Sequence, residues 1–489
     1  MSKPKEKQFD IKTIEPTILI IFGGTGDLAR RKIIPALLDL FVKDMLPKQF
    51  RVVGFSRRSF SDQEYRAFMR EAIGKKEHGH SEEMVDSFLK MVSYTAGAFD
   101  RPLDYKTLSE ALIAVDTTLG QCTNKLFYLA VPPDFYDVIF DNLANSGLTI
   151  PCGGEAEGWT RVLVEKPFGS DLDTARELDM KLGLLFKEEQ IFRIDHYLAK
   201  ETLQNILSFR FSNELFEPLW NKDHIEKIEI SMLESLGMEG RGSFYDGVGA
   251  LRDVGQNHML QMLAFATMEN PGELDAAKIR EKRREIFAAL RPIETQDAIR
   301  EQTLRARYDG YTEESGVAPD STTETYFEVK AYIDLPRWRD VPIYLKSGKQ
   351  LEKKETEIRI YFNRPVSCIC PEPEQAHDHQ NILTFSIQPD EGISVRFWAK
   401  KPGFGVHLEP RNLSFSYYGK EGGFNEAAPE AYERVLFDCI KGDQTLFAST
   451  QELEVAWAFI TPIHRGWRDE PLETYHAGSR GPTRTIFPE

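Results

Sequence analysis

The chain has 489 residues and a mass of 56.0 kDa, about three times the usual length of one domain, so we expect two or three domains. Hydrophobic residues make up 41% of the chain and charged residues 28%, which is an ordinary globular composition and excludes collagen-like, coiled-coil and disordered classes. The net charge of -16 repels a phosphate backbone, so we expect no nucleic-acid partner. An anionic ligand would need a local cluster of cations.

The start of the chain and its cysteines predict a cytoplasmic protein. Residues 1–16 contain no apolar signal core, and the longest apolar run, residues 18–22, is far too short to cross a bilayer, so we expect no membrane association. The five cysteines are odd in number and scattered along the chain, which argues against a disulfide framework and fits a reducing compartment.

A dinucleotide-binding fingerprint follows the first apolar run. Residues 17–22 (TILIIF) are typical of a strand buried on both faces, and residues 28–38 continue with the apolar spacing of a helix. Between them Gly24, Gly26 and Ala29 match the pattern G-x-G-x-x-A, in which the glycines permit a tight turn and a close approach to a pyrophosphate. An ordinary strand-to-helix turn is the alternative. The cofactor site is predicted at Gly23, Gly24, Thr25, Gly26, Asp27 and Leu28.

The end of the second predicted strand favours NADP over NAD. Residues 50–56 (FRVVGFS) predict this strand, and an NAD-binding domain would place Asp or Glu at its end. Here the strand ends in Ser56, Arg57 and Arg58, and two guanidinium groups suit a 2′-phosphate. We therefore predict NADP, bound in part by Arg57, with NAD as a weaker alternative. A solvated arginine pair would be the other explanation.

Two further segments carry candidate ligand-binding residues. Residues 160–164 predict a later strand that ends at EKPFG, which places Lys166 at the carboxyl end of the sheet, where doubly wound folds bind ligands. Residues 192–201 contain two acids, a histidine, a tyrosine and cations. On a helix, His196 and Lys200 would share a face and could converge on one ligand group. A solvated helix surface is the alternative for this segment.

Six motifs extend along nearly the whole chain, at residues 24–29 (GTGDLA), 165–169 (EKPFG), 193–201 (RIDHYLAKE), 240–242 (GRG), 252–258 (RDVGQNH) and 346–349 (KSGK). In content and order they resemble the glucose-6-phosphate dehydrogenase family, for which the Asp-His-Tyr segment is a specific signature. The departures are Ala199 for the usual Gly, Ser235-Leu236 for a common Pro-Phe, and Lys354 where some members have Arg. These changes bear on substrate affinity more than on reaction type.

The resemblance implies oxidation of the C1 hydroxyl of glucose 6-phosphate to 6-phosphoglucono-1,5-lactone with NADP, the opening step of the oxidative pentose phosphate and Entner–Doudoroff routes. It implies that His258 is the general base and that Asp195 orients its ring, and an imidazole has a suitable pKa for this role. Without the resemblance, His258 would be interpreted as a core histidine. The resemblance assigns the 6-phosphate to His196, Tyr197, Lys200 and Lys349, and the rest of the substrate site to Lys166, Glu234, Asp253 and Lys354, with Lys166 also near the cofactor.

We predict an α/β Rossmann-type dinucleotide-binding domain over residues 1–195 and an α+β substrate-binding and dimerisation domain over residues 196–489. Strand-like runs in the second half are linked without regular helices, which predicts a large, mostly antiparallel sheet. Residues 273–308 are interpreted as flanking helices. The resemblance implies a homodimer or homotetramer. The strand-like runs are residues 225–233, 325–333, 358–362, 382–387 and 393–398.

Three alternatives are weighed against this interpretation. Zinc could bind two cysteines and two histidines, but their spacing matches no recognised zinc motif, so we predict no metal. A related NAD(P)-dependent oxidoreductase could act on another sugar, phosphosugar or polyol, but the predicted phosphate cluster argues against an unphosphorylated substrate. A non-catalytic relative would be expected to lack the base, and both Asp195 and His258 are present. The candidate zinc ligands are Cys368, Cys370, His377 and His379.

Overall fold

The computed structural model describes residues 10–74, 79–152, 158–365, 379–417 and 429–488. The chain divides into two compact units. The first comprises Met1–Phe168, Arg176–His196 and Pro429–Thr450, and the second comprises Gly169–Ala175, Tyr197–Ala428 and Gln451–Glu489. The sequence-based division places one boundary after residue 195 and does not include the returning segment Pro429–Thr450 in the first domain.

The first unit contains a seven-stranded sheet. β1 pairs in parallel with β2 on one side and with β4 on the other, and every residue of β1 is buried. The order β3-β2-β1-β4-β5-β6 is the doubly wound order of dinucleotide-binding folds, to which β15 adds an antiparallel edge. The strands are β1 (Thr17–Phe22), β2 (Phe50–Ser56), β3 (Val92–Ala96), β4 (Asn124–Leu129), β5 (Thr160–Val164), β6 (Ile191–Ile194) and β15 (Phe447–Ala448).

Helices connect the strands of this sheet. A π-helical segment, Ala29–Ile33, leads directly into the first α-helix. The longest helix begins with Pro102, whose fixed φ suits the first turn, and ends at Gly120 in the left-handed region. The helices are α1 (Ile34–Val42), α2 (Asp62–Gly74), α3 (Glu82–Leu89), α4 (Pro102–Leu119), α5 (Tyr136–Ser146), α6 (Leu172–Leu185) and α12 (Ala431–Lys441).

The second unit contains a nine-stranded sheet in the order β14-β13-β12-β11-β7-β10-β9-β8-β16. Its pairings are antiparallel except for β7 with β10 and β8 with β16, which are parallel. The predicted fold class is therefore confirmed. The strands are β7 (Ile225–Leu233), β8 (Thr303–Tyr308), β9 (Tyr326–Ala331), β10 (Ile343–Gly348), β11 (Glu355–Phe362), β12 (Ile382–Gln388), β13 (Gly392–Lys400), β14 (Leu408–Ser416) and β16 (Glu473–Tyr475).

A second π-helical segment, Leu251–Met259, precedes an almost fully buried helix in this unit. It is the segment that carries the predicted general base. The α-helices are α7 (Glu201–Phe211), α8 (Gly242–Tyr245), α9 (Leu260–Thr267), α10 (Ala276–Ala288), α11 (Gln296–Gln302) and α13 (Thr450–Gly466).

Two local predictions are wrong. Residues 192–201 are not a helix: Ile191–Ile194 is β6, residues 196–199 form a turn, and Lys200 is the N-cap of α7. Pairing of β6 with β5 satisfies its backbone groups and overrides the helical spacing. The end of residues 273–308 is strand β8, because its inward residues are buried at a spacing of two and pair with β9.

The structure joins Cys122 and Cys152 in a disulfide. This pair was not foreseen, because neither the number nor the scatter of cysteines specifies which two approach each other. Cys439 is a free, buried thiol, and burial raises its pKa well above the usual value. In the ranges described above, no helix combines the length and apolar character that a membrane crossing requires.

Candidate active site

The glycine turn after β1 is held by backbone hydrogen bonds to the neighbouring strand. The amide groups of Gly23 and Gly24 both donate to the carbonyl oxygen of Phe55, at 2.9 and 3.3 Å, and the amide of Gly26 donates to the carbonyl of Gly23 at 2.8 Å. Ala29 is fully buried at the start of the following helical segment. The chain therefore turns sharply from β1 into a helical segment, as a dinucleotide-binding loop requires.

The three glycines of the turn are required for different steric reasons. Gly23, not Gly24, is in the left-handed region, with φ of 80°. At Gly24 a Cβ atom would lie 2.8 Å from the Cα of Gly54 and 3.0 Å from the hydroxyl of Tyr65, so a side chain would push the turn away from β2. At Gly26 a Cβ would lie 3.0 Å from the carbonyl oxygen of Gly23.

The end of β2 lies beside this turn and is followed by two arginines. Arg57 and Arg58 are exposed, and the hydroxyl groups of Thr25 and Ser56 are hydrogen-bonded at 2.9 Å. A NAD-binding domain would place a carboxylate at the end of β2, which would repel a 2′-phosphate. Ser56, Arg57 and Arg58 include no carboxylate, so the residues at this point are compatible with a 2′-phosphate.

Lys166 follows a half-buried acid at the end of β5. The Glu165 carboxylate accepts hydrogen bonds from the hydroxyl groups of Tyr128, at 2.6 Å, and Tyr432, at 3.5 Å. Burial raises the pKa of Glu165, although these hydrogen bonds and the charge of Lys166 oppose the increase. Lys166 itself is half-buried. Lys166, the predicted ligand-binding lysine, thus lies just after the carboxyl end of β5. Its neighbour Glu165 is held in place by two tyrosine hydroxyl groups.

Asp195 and His196 are the last two residues of the first unit along this part of the chain. Asp195 directly follows β6 and is 2% exposed, whereas His196 is half-buried in the turn that follows. His258 belongs to the second unit. The predicted pairing of Asp195 with His258 therefore stays a prediction.

The predicted base packs against another predicted site residue in the second unit. His258 lies in the π-helical segment, is 1% exposed, and its ring centre is 4.4 Å from that of Tyr197. Asp253 is half-buried on the same segment, where its carbonyl oxygen accepts a hydrogen bond from the Asn257 side chain at 3.0 Å. Tyr197 and His258, which are 61 positions apart in sequence, thus pack ring against ring.

A second grouping joins Glu234 and Lys349. β7 and β10 run parallel and end together, with Leu233 opposite Gly348. The next residues are Glu234 and Lys349, and their side chains form an ion pair. Lys349 is buried, and its backbone is fixed because the hydroxyl of Tyr475 donates to its carbonyl oxygen at 2.6 Å. The two predicted substrate residues are therefore brought together by the register of the sheet.

The remaining predicted phosphate and sugar ligands are more dispersed. The ammonium of Lys200 lies 3.6 Å from the Glu391 carboxylate, which also accepts hydrogen bonds from Thr202. Lys354 is exposed in the segment before β11. The structure gives Lys200 a defined anchor, whereas it shows Lys354 on the surface.

Tyr245 was missed by the sequence analysis. It is 4% exposed, the ammonium of Lys349 lies 5.3 Å above its ring, and its hydroxyl makes no hydrogen bond to any described residue. Burial raises its pKa well above the usual value, as do the nearby acids, Asp253 foremost. Its position between the GRG and RDVGQNH motifs is the only signal in the sequence that could have singled it out.

Within the described ranges, no group of three or more histidine, cysteine, aspartate or glutamate side chains could hold a metal ion. The candidate zinc ligands Cys368, Cys370 and His377 lie outside the described residues.

The doubly wound sheet, its glycine turn and the separate unit with a buried histidine define a dinucleotide-dependent oxidoreductase. The family model described as "Glucose-6-phosphate dehydrogenase, NAD binding domain" matches residues 20–205, and the model of the C-terminal domain of the same family matches residues 207–486. The chain belongs to the glucose-6-phosphate dehydrogenase family.

Relatives similar over nearly the full length agree with this assignment. The glucose-6-phosphate 1-dehydrogenase of Chlamydia muridarum is 39% identical, covering 99% of this chain and 97% of its own. The corresponding protein of Aggregatibacter actinomycetemcomitans is 42% identical, covering 96% and 94%. A solved glucose-6-phosphate dehydrogenase in complex with its substrate glucose-6-phosphate has a TM-score of 0.87 at 33% identity, with 97% of each chain covered.

Proposed function

We propose that this chain oxidises glucose 6-phosphate to 6-phosphoglucono-1,5-lactone with NADP as the hydride acceptor. The observation that carries the proposal is the near full-length similarity to glucose-6-phosphate 1-dehydrogenases, together with the buried His258 that the RDVGQNH motif places in the second unit. Another phosphorylated or free sugar remains the competing substrate class.

His258 acts as the general base in this proposal. Its imidazole accepts the proton of the C1 hydroxyl while the hydride on C1 departs, so that the C1–O bond becomes the lactone carbonyl. When bound, NADP supplies the nicotinamide C4 that accepts the hydride. Asp195 holds the ring of His258 in the productive orientation and stabilises the imidazolium, which afterwards returns its proton to water. The ring of Tyr197 at 4.4 Å restricts the position of the imidazole from another side.

The 6-phosphate is bound by the cluster proposed from the motifs. A phosphate with a charge near -2 requires several donors in a protein whose net charge is -16. Lys349, held beside Glu234, and Lys200, held beside Glu391, are already oriented by their carboxylate partners. His196 and Tyr197 complete this cluster, and Glu234, Asp253, Lys166 and Lys354 bind the remainder of the sugar.

NADP is the proposed cofactor, and NAD is a weaker alternative. Arg57 supplies the guanidinium for the 2′-phosphate, next to the hydroxyl pair of Thr25 and Ser56. The turn of residues 23–28 holds the pyrophosphate at the start of the helical segment. Lys166 contributes from the end of β5.

We also propose that the protein is a homodimer or homotetramer, assembled through the large sheet. β14 lies at the edge of that sheet, and Leu413 in its centre is 65% exposed. A leucine that is buried in a subunit interface would be exposed in this way when one chain is considered alone. The cytoplasmic location stays a prediction, and the disulfide between Cys122 and Cys152 does not support the reducing compartment on which it rested.

The test is an absorbance assay of reduced nicotinamide with NADP and NAD against glucose, glucose 6-phosphate, other hexose 6-phosphates and polyols. The proposal predicts the highest kcat/KM with glucose 6-phosphate and NADP. Equal or greater efficiency with an unphosphorylated sugar would contradict it.

A further inference from the structure

Two buried tyrosines link the loops that the proposed cofactor site uses. Tyr94 lies in β3 directly opposite Gly54 of β2. Its hydroxyl is within hydrogen-bonding distance of two carbonyl oxygens, those of Ser56 at 2.7 Å and Arg58 at 2.6 Å. These two carbonyls flank Arg57. Tyr94 has one hydroxyl hydrogen for these two acceptors. Its hydroxyl therefore bridges the backbone on either side of Arg57, the residue that is predicted to bind the 2′-phosphate.

Tyr65 makes the corresponding contact with the glycine turn. Its hydroxyl donates to the carbonyl oxygen of Gly24 at 2.8 Å, and its side chain is fully buried. Gly54 provides the space for this contact, since a Cβ at that position would lie 2.4 Å from the Tyr65 hydroxyl. The turn that faces a pyrophosphate is therefore anchored by a phenol from α2.

The rings of the two tyrosines pack against each other. Their ring centres are 4.6 Å apart, and Phe60 packs edge-on against Tyr94 at 5.7 Å. Burial raises the pKa of both phenols, so both stay protonated and able to donate near neutral pH. A rigid element in contact with both cofactor loops can set their separation.

We propose that Tyr65 and Tyr94 are positioning residues with separate effects on cofactor choice. Tyr94 fixes the segment that binds the 2′-phosphate and thereby favours NADP over NAD. Tyr65 fixes the glycine turn that contacts the pyrophosphate, which NADP and NAD share. This inference rests on the proposed use of NADP.

The physical reason is preorganisation. Without the hydroxyl of Tyr94, the Ser56–Arg58 backbone loses its anchor and must be ordered when the 2′-phosphate binds, which weakens binding of that group alone. Without the hydroxyl of Tyr65, the glycine turn must be ordered when the pyrophosphate binds, which weakens the binding of NADP and NAD equally. A purely structural role for both tyrosines would change stability without separating the two cofactors.

The experiment compares Tyr94→Phe, Tyr65→Phe and the control Tyr105→Phe. Tyr105 is a fully buried tyrosine of the same unit whose hydroxyl donates to the carbonyl oxygen of Phe99 at 3.0 Å, a residue that belongs to neither loop. We measure kcat/KM for NADP and NAD at saturating glucose 6-phosphate, and thermal unfolding confirms that each variant is folded.

For Tyr94→Phe we expect kcat/KM for NADP to fall about 5- to 10-fold, the effect of one lost hydrogen bond, with the value for NAD within about 2-fold. For Tyr65→Phe we expect both values to fall together, and for Tyr105→Phe we expect the ratio to stay unchanged. Equal losses for the two cofactors in Tyr94→Phe, or no loss, would overturn the inference.

A binding measurement gives an answer that does not depend on turnover. Calorimetric titration with adenosine 2′,5′-bisphosphate and with adenosine 5′-monophosphate isolates the contribution of the 2′-phosphate. Tyr94→Phe should weaken only the bisphosphate, again by about 5- to 10-fold. If the wild-type chain reduces NADP but this difference is absent, the inference alone fails. If the wild-type chain does not reduce NADP, the proposed cofactor fails and the inference fails with it.

Discussion

The ring of Tyr197 lies 4.4 Å from the ring of His258, at an interplanar angle of 36°. The family resemblance assigns Tyr197 to the phosphate ligands, and the structure adds that its ring packs against the proposed base. We therefore expect the phenol hydroxyl and the phenol ring to have separable roles. The hydroxyl would bind the substrate phosphate, and the ring would hold the imidazole in position.

Replacing Tyr197 in two ways tests this separation. Tyr197→Phe keeps the ring and should raise KM for glucose 6-phosphate several-fold, with kcat nearly unchanged, since only a phosphate hydrogen bond is lost. Tyr197→Ala should also lower kcat, because the imidazole loses its packing partner. Identical kinetics for the two variants would show that the ring has no effect on the base.

Lys200→Ala should weaken binding of the sugar phosphate. We expect KM for glucose 6-phosphate to rise about 10- to 100-fold, the cost of one charge-assisted hydrogen bond, with little change in KM for NADP. Lys222→Ala, which removes an exposed lysine of the same unit that pairs with its neighbour Asp223, is the matched control. An unaltered KM for glucose 6-phosphate would remove Lys200 from the phosphate site.

Arg57→Ala should change the choice between cofactors. Loss of the guanidinium should lower kcat/KM for NADP about 10- to 100-fold and leave the value for NAD within about 3-fold. Arg51→Ala provides a control, because Arg51 is an arginine near the amino end of the same strand, β2, whereas Arg57 follows the carboxyl end. Equal losses with both cofactors would mean that Arg57 does not recognise the 2′-phosphate.

His464 should make the folded protein sensitive to mild acid. Burial and the positive charges of three arginines lower its pKa to about 4, and Asp171 opposes them only in part. An unfolded histidine has a pKa near 6.5, so between about pH 6.5 and 4 the unfolded state binds more protons than the folded state. The free energy of unfolding therefore falls as the pH falls through this window. The arginines are Arg252, Arg468 and Arg305.

Urea unfolding at pH 7 and pH 5 measures this effect. His464→Gln should lose about 1 to 2 kcal/mol less stability between the two pH values than the wild type, after allowance for the partial exposure of the ring. His224→Gln, which removes an exposed histidine of the same unit, should lose as much stability as the wild type. The same pH dependence in His464→Gln as in the wild type would contradict the account.

Strands β1, β2 and β5 of the first unit could be predicted because they are recognisable from local sequence, whereas β6 was interpreted as part of a helix. β1 is buried at every position, and its apolar run and following glycines occur in the order that a dinucleotide-binding turn requires. β8 could not be recognised in the same way, because Arg305 and Arg307 alternate with its buried residues within a charged region that resembles a helix. Its identity as a strand depends on pairing with β9.

The site is predictable from sequence to a smaller extent. The ion pair of Glu234 and Lys349 follows from the register of β7 and β10, which are 110 or more residues apart in the chain and whose pairing no local pattern specifies. The π-helical segment around His258 and the turn at residues 196–199 likewise depend on tertiary packing. Tyr65, Tyr94 and Tyr245 were missed because a buried tyrosine has no distinguishing pattern in a single sequence.

The most direct test of the central claim is turnover by His258→Asn at saturating glucose 6-phosphate and NADP. If His258 removes the C1 hydroxyl proton, kcat should fall by roughly 10²- to 10⁴-fold, while calorimetry shows cofactor binding close to that of the wild type. A kcat equal to that of the wild type would show that another group is the base and would contradict the proposed mechanism.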